Sequence, residues 1–465
     1  MPCFVTMEQL PDDVIVAVMQ FLSVEDLFAC RLVSRRLCGL VSHWDVWRDR
    51  SLSDDLPCAN AVLRLAPCLD ALVVTGRYPT LAVTTTQCAV AILELHIFDR
   101  ESFNDAEYAL TVHRQESLGR LRRLELTSNE HYFRSPPVAD VLVRTMASCS
   151  GLQSLEVCDS LPNTNHPIEH GPSKPSLTQF GCPIDEQSKS FVHTMLAGHA
   201  ATLEDVDISD SHYGIGDSET AGLLASMPRL RRLRCNDSVE GFGAVAASKS
   251  LRDVSITLFG EPDEENEAVE FLRRAKQLRR IRLSYCTDFS AEFCGRVSEA
   301  LTSSMVSKVE RLALDGFTEV RLLFRELPSL PYLHHLELTE APPDDELLLS
   351  ISPETAPALR RLELGTCGQV CPHSWVHRDA VRVTLAANPK LHILLWHNKK
   401  DCGQACEACR WTCHPEVIKW SKVRKVGLFS HDPGKCPSPE DHTDTVEWQR
   451  SNYYTGAAQC PWIHM

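Results

Sequence analysis

The feature that constrains this chain most is a recurring hexapeptide, L-x-x-L-x-L. It reads LRRLEL at Leu121, LQSLEV at Leu152, LEDVDI at Leu203, LRRLRC at Leu230 and LRDVSI at Leu251. It continues as LRRIRL at Leu278, VERLAL at Val309, LHHLEL at Leu333 and LRRLEL at Leu359. Looser copies begin at Leu69, Val90, Leu177, Leu391 and Val423, and successive starts lie 21 to 32 residues apart. Inside each copy, apolar and polar positions alternate with the period of a short strand that has one buried face. Between copies lie stretches such as SKSFVHTMLAGHAA and EAVEFLRRAKQ, which predict helices. A unit of this size exposes an apolar edge, which the next unit must cover. The 465 residues therefore read as one array plus extensions, not as the three domains that length alone suggests.

The first fifty residues follow a different period. Leu10-Pro11-Asp12-Asp13 opens a helix, with Pro in the first turn and two acids at its positive end. Ile15, Val18 or Met19, and Leu22 fall on one apolar face. Ser23 caps a second helix, with Asp26 three residues on, and Leu27, Cys30 and Val33 continue its apolar side. Val33, Leu37, Leu40, Trp44 and Trp47 then space out a third. Three helices in about forty residues bury too little surface alone, which predicts a partner or a neighbouring domain.

The segment LPDDVIVAVMQFLSVEDLFACRLVSRRLCGLVSHWDVW resembles an F-box in the order and spacing of its motifs. These are the Leu-Pro opening, Phe21-Leu22, the Leu27 helix, Val33-Ser34-Arg35-Arg36 and the closing Trp47. Cys38-Gly39 departs from it, because many members carry a bulkier residue there. The resemblance implies binding to a Skp-type adaptor and, through it, to a cullin ubiquitin-ligase scaffold. Carried over by position, the adaptor-facing residues are Leu10, Pro11, Ile15, Leu22, Leu27, Val33 and Leu37.

From about residue 60 to about 430 the repeats resemble the leucine-rich-repeat family. Three residues past the last core position that family favours Asn or Cys, and this chain has Asn129, Ser160, Ser211, Ser238, Cys286 and Cys367. Cys286 and Cys367 resemble the cysteine-containing repeats of F-box proteins. The implied fold is α/β: a three-helix F-box (5–50), a linker or capping helix (51–68), and a leucine-rich-repeat solenoid (69–430). Its strands would line the concave face and its helices the convex one. Asn163–Pro175 holds three prolines and reads as a loop in place of one helix. Residues 431–465 open Pro-rich and acidic and read as a linker or disordered tail, with a short ordered piece at Trp448–Trp462.

Asp and Glu outnumber Lys and Arg by 62 to 47, a formal charge of −15. A general grip on nucleic acid needs clustered cations, so that class is set aside. The N-terminus has no secretory pattern, and no run of 18 apolar residues suggests a membrane span. Twenty cysteines scattered without a signal peptide read as reduced thiols of the cytosol or nucleus.

Cys402, Cys406, Cys409, Cys413 and His414 form C-x3-C-x2-C-x3-C-H. On one straight helix these cysteines would span about 16 Å of axis, too far for the four ligands of one zinc. They read as apolar lining of a repeat helix. Zinc would need a broken helix or help from His397, His431 or Cys436. Gly241-Phe242-Gly243-Ala244-Val245-Ala246 matches a dinucleotide fingerprint, but inside a repeat it reads as a turn into a helix. No catalytic motif is evident, so the expectation is a non-catalytic protein without a cofactor.

The first exposed strand position reads Arg232, Asp253, Arg280, Arg311, His335, Arg361 in successive repeats. Strands about 4.8 Å apart would make this a stripe against the acidic sign of the whole chain. Arg232, Arg280, Arg311, His335 and Arg361 are therefore candidate contacts for a protein substrate, acidic or phosphorylated where it binds. The competing reading is that they pair with acids two residues on, such as Glu337 and Glu363.

Overall fold

A computed structural model describes residues 10–75, 79–97, 103–128, 138–209, 218–236, 239–259, 262–285, 291–303, 307–317, 319–339, 343–366, 372–397, 425–436, 445–449, 455–460 and 462–465. The chain divides into two compact units, Met1–Asp210 and Ser211–Met465.

The first unit opens with the three predicted helices, α1 (Asp12–Met19), α2 (Val24–Val33) and α3 (Arg35–Val41), and adds a single turn, α4 (Trp44–Trp47). Asp12 and Asp13 occupy the first turn of α1, where the helix dipole favours negative charge. The Ser23 hydroxyl accepts the Asp26 N–H at 3.1 Å and donates to the Asp26 carboxylate at 2.8 Å. Ser34 caps α3 by accepting from the Leu37 N–H. Ile15, Met19, Leu27, Val41 and Trp47 are buried between the helices, and the Trp47 indole N–H donates to the Val41 carbonyl at 2.6 Å. Two arginines tie the helices together, and Arg50 does so through carbonyls that helix C-termini leave open. Arg50 donates to the carbonyls of Met19, Gln20, Leu22 and Val46, and Arg36 to the Leu10 carbonyl and the Asp12 carboxylate.

Seven strands follow in this unit: β1 (Ser51–Ser53), β2 (Cys68–Val74), β3 (Ala89–Ile97), β4 (Arg123–Ser128), β5 (Ser154–Asp159), β6 (Gln179–Gly181) and β7 (Asp205–Asp207). Each pairs in parallel with the next. The stretch read as a linker thus supplies β1 as well as the helix Ala59–Leu65. Arg120, just before β4, donates to the Arg48 carbonyl at 3.0 Å and lies 5.3 Å from the Trp44 ring centre. This ties the helical segment to the first strands.

Residues 163–175 contain no helix, as their prolines require. The loop packs against the helix Lys189–His199. The Ile168 N–H donates to the Ser190 hydroxyl, and the Ile168 carbonyl accepts from the Thr194 hydroxyl. Buried His199 closes it, its Nδ1 accepting the backbone N–H groups of Ser176 and Leu177 at 3.0 and 3.2 Å.

The second unit carries β8 (Arg232–Asn236), β9 (Asp253–Leu258), β10 (Arg280–Tyr285), β11 (Arg311–Leu314), β12 (His335–Leu338), β13 (Arg361–Thr366) and β14 (His392–His397), again parallel in chain order. Two sequence expectations are corrected here. Ile393 and Leu395, rather than Leu394 and Trp396, align with Leu362 and Leu364, so the copy at Leu391 is displaced by one residue. The copy at Val423 forms β15 (Lys425–Phe429), which runs antiparallel to β14. Beyond it, β16 (Thr445–Gln449) and β17 (Thr455–Gln459) form a hairpin. The final strand, β18 (Trp462–His464), pairs in parallel with β15, so the tail returns to the sheet.

The alternating leucine positions are buried throughout both units, while Phe191, Phe242, Phe271 and Phe293 fill the helical side. At Gly241, φ is +75°, a left-handed turn that glycine adopts without strain. It leads into a 3-10 helix, Phe242–Ala247, which inserts Phe242 and Val245 into the core. Gly241 is thus a turn, and Gly243 lies within the 3-10 helix. No helix among the described residues is long and apolar enough to cross a membrane.

Burial pushes the His199 imidazole down to about 4 from its ordinary value near 6.5. A base whose folded value is depressed contributes stability that is present above about pH 6.5 and is lost as pH falls toward 4. The ring resonances of His199 should titrate near pH 4 in an NMR series. His199→Gln should flatten part of the fall in melting temperature between pH 6.5 and 4.5.

Candidate functional site

The first candidate surface lies on the N-terminal helices. The α1 sequence DDVIVAVM is apolar on more than one side, so burying one stripe leaves another outside. Ile15, Val16 and Met19 point into the unit. Val14, Val18 and Phe21, spaced by four and three residues, remain outside, with Phe21 88% exposed. At the end of α2, Leu32 and Val33 are 89% and 72% exposed.

These placements sort the seven residues carried over from the resemblance. Pro11 and Val33 are exposed, and Leu10 and Leu22 are half-buried. Ile15, Leu27 and Leu37 are buried within the helical core, so truncating them tests folding as much as contact. Val14, Val18 and Leu32 were absent from that set. The available signal was the second stripe of α1, whose four- and three-residue spacing repeats that of the first.

The second candidate surface is the exposed row of the second unit. Its strand register aligns Arg232, Asp253, Arg280, Arg311, His335, Arg361 and then His392, each opposite the next. The predicted row therefore exists, but its residues differ in environment. Arg232, Arg280 and Arg311 are exposed. Arg280 pairs with Asp253 at 3.3 Å, while Arg311 makes no ion pair among the described residues. His335 and Arg361 turn inward to Glu363 instead, at 3.0 and 2.8 Å.

Glu363 is the centre of a buried ionic cluster. Lys425, from β15, lies 3.1 Å from its other oxygen, and both side chains are nearly inaccessible. Arg282 reaches past β11 to Glu337 at 2.8 Å. Burial alone would raise the Glu363 carboxyl. The hydrogen bond from His335 and the charges of Lys425 and Arg361 instead hold it well below the usual carboxylate range. Burial also lowers the His335 imidazole, against the opposing pull of Glu363. The pairing of stripe residues with acids two positions on thus holds for Arg361, and His335 is withdrawn from any surface contact.

Cys402, Cys406, Cys409, Cys413 and His414 lie outside the described residues, as do Asn129, Ser211, Ser238, Cys286 and Cys367. Ser160 is described and buried. The twelve described cysteines are free thiols. Most are buried and apolar in setting, and burial pushes the Cys88 thiol up to about 12.

Comparison with known proteins gives one family match: residues 7–53 fit the F-box-like model. The helical segment of the first unit is an F-box-like domain. No curated protein sequence matches the chain. Among solved structures, it is similar to a chain in the crystal structure of a TLR13–ssRNA13 complex, at 14% identity and a TM-score of 0.40. The match covers 76% of this chain and 48% of that one, so this chain spans about half the length of that neighbour. The F-box-like domain is followed by strands that pair in parallel in chain order, alternating with helices.

Removing the charge of Glu363 leaves buried cations without their counter-ion, a change that costs about 3–5 kcal/mol. Glu363→Gln should lower the melting temperature of the chain markedly, whereas Arg280→Gln, on an exposed pair, should shift stability by less than about 1 kcal/mol. Calorimetry of the two variants checks both.

Proposed function

We propose that this chain is the substrate-recognition subunit of a Skp–cullin–F-box ubiquitin ligase. The F-box-like domain binds the Skp-type adaptor and through it the cullin. The repeats hold a protein substrate, which is then ubiquitinated and degraded by the proteasome. The chain contributes proximity, not covalent chemistry, by holding substrate lysines near the transfer centre. It acts in the cytoplasm or nucleus. The observation that carries this reading is the F-box-like match at residues 7–53, on helices that leave Val14, Val18, Phe21, Leu32 and Val33 uncovered.

On the repeats, the reading assigns substrate contact to the exposed arginines Arg232, Arg280 and Arg311. Guanidinium groups on neighbouring strands suit an acidic or phosphorylated segment, which binds them in forked pairs. Asp253 partly occupies Arg280 in the absence of substrate, and a ligand carboxylate or phosphate would replace it.

Phe21→Ala combined with Leu32→Ala should cost more than about 1 kcal/mol of adaptor affinity per residue, at unchanged thermal stability. Adaptor and cullin should then leave the co-purified set, while proximity labelling in proteasome-inhibited cells still reports substrates. Undiminished adaptor binding by this variant, or by one that also carries Pro11→Ala, rejects the reading. Adaptor without cullin points to a scaffold without a degradative role.

Reversal of Arg280 and Arg311 to Glu should remove the proteasome-sensitive partners and leave adaptor binding intact. Wild-type substrate binding should weaken with added salt. Full retention of those partners would place recognition elsewhere on the repeats.

A further inference from the structure

Among its described residues the second unit gathers two clusters of metal-ligating side chains, and they differ in charge. His335, Glu337 and Glu363 form one. Its carboxylates are taken up by Lys425, Arg361 and Arg282 at 2.8–3.1 Å, which leaves no unbalanced negative charge for a metal to answer. The other consists of His392, His431 and Cys436, whose ligand atoms all lie within 4.8 Å of one another.

We propose that His392, His431 and Cys436 bind a zinc ion. The distance from the Cys436 sulfur to His392 Nε2 is 3.5 Å. Zinc–sulfur and zinc–nitrogen bonds of about 2.3 and 2.05 Å at the tetrahedral angle place those two atoms about 3.6 Å apart. His392 is already held in the form that a metal requires. Its Nδ1 lies 3.3 Å from the Arg360 carbonyl, and a carbonyl only accepts. Nδ1 therefore carries the proton, and the lone pair of Nε2 faces the sulfur. A backbone carbonyl behind a ligating imidazole is the usual outer support of a zinc site.

The surroundings suit a closed site. His392 is fully buried and Cys436 nearly so. The His431 ring meets His392 edge-on with centres 4.9 Å apart, and Trp462 and Phe429 pack against the two imidazoles at 5.5 and 5.3 Å. His431 and Cys436 bracket one short turn, Pro433–Lys435, and His392 comes from β14. Two ligands a few residues apart on one turn, with a third from a strand, is a spacing that zinc sites use. Binding deprotonates the Cys436 thiol and releases that proton to solvent. The fourth position is left to a further donor or water. The bound ion would clamp the segment after β15 onto β14.

The test uses the purified full chain, metal content measured by plasma mass spectrometry, and zinc affinity measured by competition with a chromophoric chelator. His431→Gln, Cys436→Ser and a variant with Cys402, Cys406, Cys409 and Cys413 all changed to Ser are measured alongside. The proposal expects about one zinc per wild-type chain and at least about tenfold weaker zinc affinity in both single variants, as loss of a ligand or of its support produces. If Cys436→Ser fails to fold, the half-buried His431→Gln decides alone. A wild-type chain that neither carries nor takes up zinc overturns the proposal. So does zinc that persists in the single variants and is lost only from the four-serine variant, because the metal then sits elsewhere.

Discussion

The repeats depend on strand register. Side chains alternate along a strand, so a slip of one residue would turn every core leucine outward. In β10, Ile281 aligns with Val254 on one side and Leu312 on the other, and this buried ladder holds the register. Once it is held, the residues between core positions have no choice of neighbour. Arg280 stands between Asp253 and Arg311, and Glu337 between Ala313 and Glu363. The ion pairs of the exposed face are thus consequences of core packing. Arg280 finds Asp253 on the adjacent strand, whereas Arg282 must reach across Ala313 to Glu337.

The F-box-like domain solves a different problem. Four short helices bury few side chains, and α1 is apolar on two sides. One side closes the core through Ile15 and Met19. The other remains exposed, a state that is unfavourable in isolation and suits a partner's surface. Arg36 ties the Leu10 carbonyl and the Asp12 carboxylate to α3, and Arg50 ties the carbonyls of Met19 and Leu22 to the turn after α4. Arg120 links it to the strand that follows.

Much of this was legible in the sequence because it is local. The leucine ladder foretold β2 to β13 in place, the cap at Ser23 follows from short-range spacing, and the prolines of 163–175 excluded a helix. The failures share a cause. In LHILLW nearly every residue is apolar, so no alternation marks which ones face inward, and register decided for Ile393 and Leu395. The direction of β15 is a property of the chain's return path, not of VRKVGL itself. His335 and Glu363 carry the same polar signature as the exposed Arg311. They are buried, and Lys425, 62 residues beyond Glu363, completes their cluster. On α1, the sequence was read as having one apolar face, whereas the structure leaves Val14, Val18 and Phe21 as a second, outward one.

The most direct test of the central claim is hydrogen–deuterium exchange of the full chain with and without a purified Skp-type adaptor. The account predicts added protection in α1 to α3, strongest around Val18, Phe21 and Leu32, with exchange in β8 to β14 unchanged. A bound adaptor that protects the repeats instead, or a chain whose exchange does not respond to the adaptor at any concentration, would contradict it.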